Sequence, residues 1–284
     1  MTALIGLLHY AFIVNALITG TAVAVASAAS GYFMVCRRAT FAGHALPNIG
    51  FAGAAAAVLL GVEPVYGLFA ITILAAIAMG LLARNLADRD VTVGVIMTFA
   101  LVLGFLFLAL YAGYAQRVYG ILFGSILGIS VRAARTTALA AAGSLLALGF
   151  MYRPLLFSTF DPELARARGL PVPLLSVLFL VILAVISSLA VQVMGALLLF
   201  TLMVGPAATA TRLVKRPSLA IAFSAGLGLL YVWLGIGIAA LNGTVPVSFC
   251  IAAISFIVYL SVRLLVRTKT RGRPAAQHAH GWHA

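Results

Sequence analysis

The chain has 284 residues, 64% of them hydrophobic and 8% charged, and a formal net charge of +13; its mean hydropathy is +1.18. Soluble globular chains carry about 25% charged residues, so this one cannot clothe a water-facing surface of its size, and a soluble domain is excluded. The basic excess does not point to nucleic acid either, because arginines and lysines sit at the ends of apolar runs, where membrane proteins keep them, and not along one basic face.

Apolar runs near or above about 18 residues recur along the whole chain, each long enough to cross a hydrocarbon core. Runs such as Leu174–Val191 are apolar on every face, which suits helices and not the alternating strands of a barrel. Predicted spans, in chain order, are 11–35, 45–61, 65–84, 92–112, 136–152, 172–192, 194–212, 217–240 and 247–266. The first continues to about Val35 with no convincing small-residue cleavage pattern, so it reads as a retained span and not a signal peptide. Arg37 and Arg38 close it. Glu63-Pro64 separates the second and third spans, and Arg84 to Asp90 the third and fourth. The segment Val118–Ser130 is too short to cross and carries Gly120, Gly124 and Gly128 at a spacing of four. It reads as a re-entrant or interfacial half-helix, permitted only where protein or a water-filled cavity covers its backbone.

After the fifth span comes the longest polar loop, Arg153–Pro171. It predicts a short helix that Thr159 or Asp161 can cap, with Pro162 in the first turn, Glu163 complementing the helix N-terminus, and Gly169 and Pro171 ending it. Such an element is either a docking helix or an ordinary solvated interfacial loop. Lys215-Arg216-Pro217 and Asn242-Gly243 mark the later turns. The fold class is therefore an all-α, polytopic transmembrane helical bundle of eight or nine spans over residues 1–267. A basic, His-containing tail over 268–284 follows, with the composition of a disordered segment.

Orientation follows from the basic residues. With Arg37 and Arg38 inside, the groups Arg84/Arg89, Arg153/Arg166/Arg168, Arg212/Lys215/Arg216 and Arg263 to Arg273 also fall inside, and only Arg117, Arg132 and Arg135 fall outside. The N-terminus is then external and the C-terminus cytoplasmic. The five acidic residues are Glu63, Asp88, Asp90, Asp161 and Glu163, none in the middle of a predicted span. Ion-driven transporters often use intramembrane carboxylates as relays or ligands, so energy from another subunit is the leading expectation; sodium sites made of carbonyls keep a stand-alone secondary transporter as the alternative. Cys36 and Cys250 lie at or inside apolar runs and read as small buried thiols and not as a disulfide or metal pair. Gln192, Ser187 and Ser188 are the polar groups deep in a span; helix-to-helix hydrogen bonding and pathway lining both fit them. Met194 and Met203 fit packing better than soft-metal ligation, and His9 fits an interfacial structural role better than an ion guide.

Four stretches carry a family resemblance. Arg37–Gly53, RRATFAGHALPNIGFAG, resembles the segment "RRM-x-L-x-GDALSHAVLPG" of the membrane permease subunits of ATP-binding-cassette importers for zinc, manganese and iron. Tyr119–Ser130, YGILFGSILGIS, is similar to that family's "LLFGSILGVS". Phe160–Gly169, FDPELARARG, is similar to its coupling motif "FDPE-x-A-x-x-x-G". Gly195–Ala210, GALLLFTLMVGPAATA, resembles "GxLLVxALLIxPAATA". The four occur in family order, between about Gly31 and Tyr259.

The resemblance implies a homodimer in a bacterial cytoplasmic (inner) membrane, with cytoplasmic ATPase subunits docked on its coupling helices and an extracytoplasmic binding protein delivering the ion. It implies no permanently bound cofactor: the divalent metal is cargo, and ATP sits on the partner. The chain has no Gly-x-x-x-x-Gly-Lys-Ser/Thr loop, so it is not expected to be the enzyme of the pair. The coupling assignment falls on Phe160, Asp161, Pro162, Glu163, Leu164, Ala165 and Gly169, with Phe160 and Leu164 entering an apolar groove on the ATPase and Arg166 and Arg168 reaching its acidic rim. In the family's "GDALSH", Asp and His lie four apart; here His44 and Asn48 occupy those positions, and Pro47 replaces the serine. His44 and Asn48 still share a helix face, as a candidate transit site whose imidazole favours zinc over manganese. Pro47 belongs either in the first turn of the second span or at a break that exposes carbonyls. His278, His280 and His283 are weaker tail candidates for metal, more simply read as incidental to an unstructured segment.

Overall fold

The computed structural model describes residues 11–82, 86–111, 130–242 and 245–271. The described residues form eleven helices and no strand: α1 (Ala11–Cys36), α2 (Thr40–Leu59), α3 (Pro64–Leu82), α4 (Leu86–Leu110), α5 (Val131–Phe150), α6 (Tyr152–Phe160), α7 (Pro162–Ala167), α8 (Val172–Met194), α9 (Ala196–Leu213), α10 (Pro217–Asn242) and α11 (Val247–Arg271). Eight of them are long and apolar enough to cross a membrane, and α9 contributes a shorter apolar stretch, Leu198–Leu213. The chain is a multi-pass membrane protein.

Turns between spans are tight and locally specified. Helix α2 ends at Gly61, φ 71°, where Val62 N donates to Ala57 O at 2.8 Å and Gly61 N to Val58 O at 3.1 Å. These two bonds define a Schellman cap, which needs a left-handed residue at its centre. Helix α1 ends the same way: Ala39 N donates to Met34 O at 2.8 Å and Arg38 N to Val35 O at 3.2 Å. The left-handed residue there is Arg38, φ 52°, the only non-glycine with positive φ among the described residues.

Close helix approach relies on small residues, since in lipid packing replaces the hydrophobic drive between helices. A Cβ at Gly53 would land on the carbonyl of Gly67, and one at Gly67 on the carbonyl of Gly53, so α2 and α3 touch backbone to backbone. Gly31 of α1 lies directly against the Met203 carbonyl of α9. Helices α1, α2 and α8 form the interior, with Phe33, Leu46, Phe179, Leu180 and Leu183 fully enclosed. Helices α4 and α11 lie outermost and expose Val95, Phe99, Val102, Phe249, Phe256 and Ile257, the apolar exterior that acyl chains require.

Neighbouring contacts fix the sense of each span. Gly94 and Gly104 of α4 sit beside Phe41 and Phe51 of α2, so the two run in the same sense. Gly20 approaches Met194, the last residue of α8 just before α9 begins, and Gly31 approaches Met203 of α9, so α9 runs with α1. Ser224 Oγ of α10 donates to Ala28 O at 2.9 Å while Val232 meets Gly20, so α10 runs against α1. Gly205 meets Ser255 and the Arg212 guanidinium lies 5.4 Å from the Tyr259 ring, so α11 runs with α9. Helix α5 ends beside the end of α1, where Tyr152 packs edge-on to Phe33. It follows that α4 finishes, and α5 begins, on one and the same face.

The structure moves several expected boundaries. The second span starts at Thr40 and not at 45, and Pro47 lies well inside it; it neither opens the helix nor breaks it. The fifth starts at Val131 because Ser130 Oγ caps it, accepting from Ala133 N at 3.2 Å, and Arg132 and Arg135 belong to its first turns. The loop 153–171 holds two helices, α6 and α7, in place of one. The expected half-helix Val118–Ser130, apart from Ser130, and the tail histidines His278, His280 and His283 lie outside the described residues, as does His9.

Candidate functional site

Two places gather the residues singled out by sequence. The first is the α6–α7 loop. Asp161, not Thr159, caps α7: its Oδ1 accepts from Leu164 N at 2.9 Å, and Pro162 and Glu163 follow in the first turn. Thr159 Oγ1 instead donates to Leu155 O at 2.6 Å, one turn back on α6. The helix closes in a Schellman cap at Gly169, φ 79°, with Leu170 N on Ala165 O at 3.0 Å and Gly169 N on Arg166 O at 2.9 Å. Ala165 is fully buried, whereas Phe160 and Leu164 are 63% and 43% exposed. A small residue thus seats α7 on the protein while two large apolar side chains on either side of the Asp161 cap are left uncovered. Arg166 is exposed, and the Arg168 guanidinium lies 5.5 Å from the Phe157 ring centroid, close enough for a cation–π contact.

The second place is the middle of α2. His44 and Asn48, one turn apart, are both half-buried. The His44 ring packs edge-on to Phe200 of α9 at 5.0 Å between centroids. Asn48 Nδ2 donates to His44 O at 2.8 Å. Pro47 has no N–H for the Gly43 carbonyl, so the bond from Asn48 adds a donor to the stretch where the backbone ladder loses one. Asn48 Oδ1 is turned away from that carbonyl and stays available as an oxygen donor, beside an imidazole that offers nitrogen. Among the described residues, no three His, Cys, Asp or Glu side chains lie together as a metal cluster.

The other polar candidates make no helix-to-helix hydrogen bond: Ser187 Oγ and Ser188 Oγ are buried without a hydrogen-bond partner among the described residues. Gln192 Nε2 donates to Ser188 O at 3.1 Å on its own helix. Ser187, Ser188, Met194 and Met203 are buried, and Cys36 and Cys250 are free thiols. Sequence reading missed Arg37, which it took only as a rim charge. Its side chain reaches Ser158, Thr159 and Ser176, and no local motif announces partners more than 120 positions away.

Long apolar helices joined by tight turns, with a capped helical loop at one face, define a multi-pass membrane protein. The sequence model of the ABC 3 transport family matches residues 9–266, and the chain belongs to that family. It is 29% identical over 277 residues to the "Manganese import system permease protein ScaB" of Streptococcus parasanguinis, covering 97% of this chain and 98% of that one. It is 26% identical to the "High-affinity zinc uptake system membrane protein ZnuB" of Haemophilus influenzae, over 87% of this chain and 95% of the other. Among solved structures it resembles "PsaBC from Streptococcus pneumoniae in complex with Fab", with a TM-score of 0.81, 28% identity, and coverage of 92% and 95%.

Proposed function

We propose that this chain is the transmembrane subunit of an importer that carries a divalent metal ion across a bacterial cytoplasmic membrane. Two copies surround the pathway, separate ATPase subunits supply the energy from the cytoplasmic side, and an extracytoplasmic protein delivers the ion. Family membership and the manganese and zinc permeases among the relatives support this reading. The single structural observation that carries it is α7. An Asp161-capped helix with buried Ala165 leaves Phe160 and Leu164 uncovered on the face where basic residues of the rim gather, the arrangement of a docking knob for a partner with an apolar groove. With that face cytoplasmic, the N-terminus is external and the C-terminus internal, as the positive-inside rule requires.

His44 and Asn48 are the proposed transit donors. Two copies about a two-fold axis would present two imidazoles and two amide oxygens. Neutral imidazole suits zinc better than manganese, which prefers carboxylate and water oxygens, and the pair has no carboxylate. Weak binding is an advantage in transit, because the ion must leave as readily as it enters. The donor set therefore favours zinc, while the names of several relatives favour manganese.

Uptake of radiolabelled zinc and manganese into vesicles carrying the full complex tests both levels. ATP-dependent uptake of either metal is expected, with zinc ahead, and His44→Ala should cut zinc uptake at least tenfold. Uptake without the ATPase partner would overturn the importer reading, and full zinc uptake by His44→Ala would overturn the donor assignment.

A further inference from the structure

Arg37 follows the last residue of α1 in the chain, and its side chain joins three elements. Nη1 donates to Ser158 Oγ at 3.1 Å and to Thr159 Oγ1 at 3.1 Å, at the end of α6. Nη2 donates to Ser176 Oγ at 2.6 Å, in the first turns of α8. The guanidinium carbon lies 5.7 Å from the Phe179 ring centroid, and Phe179 is fully buried. Each hydroxyl spends its own proton on its helix: Ser158 Oγ donates to Leu155 O at 3.0 Å, Thr159 Oγ1 to Leu155 O at 2.6 Å, and Ser176 Oγ to Val172 O at 3.0 Å. Their lone pairs are thus presented to the arginine, and the bonds to the charged donor fix where α6 ends. Asp161, the cap of α7, is two residues beyond Thr159. On the other side of the junction, Arg38 holds the Schellman turn that leads straight into α2 and His44, while α1 lies against α9 at Gly31.

We infer that Arg37 is the positioning residue that carries motion of the α6–α7 loop into the transmembrane helices; this rests on the reading of α7 as the ATPase dock. A push on α7 reaches the end of α6, and Arg37 hands it to α1 and α8 together. The planar guanidinium donates in several fixed directions and stacks on a ring at once, which is why lysine cannot replace it. Its effect falls on the coupling of hydrolysis to transport, and not on metal binding or nucleotide binding.

The test uses the whole complex in liposomes and reads ATP hydrolysed per ion imported for the parent, Arg37→Lys, Arg37→Ala and the triple variant Ser158→Ala/Thr159→Ala/Ser176→Ala. A Leu164→Cys substitution, in a background with Cys36 and Cys250 replaced, reports crosslinking to the ATPase in each. The expected result is a crosslink throughout, with the ATP-to-ion ratio raised at least tenfold by Arg37→Ala, by the triple variant and by Arg37→Lys. The triple variant keeps arginine in place, so its agreement with Arg37→Ala shows that the bonds, and not the fold of the α1 end, are responsible. An unchanged ratio with the crosslink intact would overturn this inference alone. Absence of a crosslink in the parent would overturn the docking reading and this inference with it.

Discussion

At the scale of single residues, the α2 pair shows what sequence conveys and what it hides. The spacing of His44 and Asn48 placed both on one face, and the structure keeps them one turn apart on one helix. Their neighbours were not legible: Phe200, against which the His44 ring packs, is more than 150 positions away and belongs to another span. Nor was the setting of Pro47, because helix boundaries inside apolar sequence lack punctuation; α2 starts at Thr40 and its backbone runs through the proline without a break. Asn48→Asp makes the pair's chemistry testable. A carboxylate one turn from the imidazole adds a hard oxygen donor and negative charge, both of which suit manganese. It also loses the donation from Asn48 Nδ2 to His44 O, a net cost of about 1 kcal/mol. The expected outcome is somewhat lower expression and a shift of about tenfold in the manganese-to-zinc uptake ratio, equivalent to about 1.4 kcal/mol. An unchanged ratio measured in competition would show that position 48 does not face the ion.

At the scale of elements, α7 is the clearest case of local chemistry writing local structure. Its start and stop are legible in sequence as Thr159 or Asp161 before Pro162 and as Gly169 with Pro171, since caps and left-handed glycines act on the residues next to them; the choice of Asp161 over Thr159 is settled by the fold. Helix α6 was hidden for the opposite reason. Its sequence, YRPLLFSTF, carries a proline and two hydroxyl residues that read as loop, and it is held by tertiary contacts: Leu155 is fully buried, and Arg37 binds both of its terminal hydroxyls. A helix of six residues is too short to persist alone, so its caps decide its order. Asp161→Ala removes the bond to Leu164 N and should cost about 1 kcal/mol. Gly169→Ala meets no atom within 4 Å, so its cost is confined to the backbone and is about 1–2 kcal/mol for an alanine held at positive φ. Both variants should speed amide hydrogen exchange in residues 161–169 several-fold, with exchange in α1 and α8 unchanged. Equal exchange in parent and variants would mean that tertiary seating through Ala165, and not capping, orders the loop.

At the scale of the whole molecule, the eight long apolar helices and α9 alternate in sense. Helix α4 runs with α2, and α2 returns from the end of α1, so Leu110 lies on the face where α1 begins. Helix α5 ends beside the end of α1, so its 20 residues, about 30 Å at 1.5 Å per residue, put Val131 back on that same starting face. Leu110 and Val131 therefore lie on the same face of the bundle. The basic residues in the sequence obey the positive-inside rule with this same parity. Cysteines placed singly at Glu63, Val131 and Arg166, in a background without Cys36 and Cys250, turn this into a measurement. Glu63 sits in the turn between α2 and α3, on the starting face of α1, whereas Arg166 lies in α7 on the other. A membrane-impermeant maleimide applied to intact cells should label Glu63→Cys and Val131→Cys and should reach Arg166→Cys only after the membrane is opened. Labelling at 63 and 131 from opposite sides would break the alternation. Labelling at 166 from outside would turn the whole bundle over, removing α7 from the compartment where ATP is found and leaving the positive-inside rule violated at every rim.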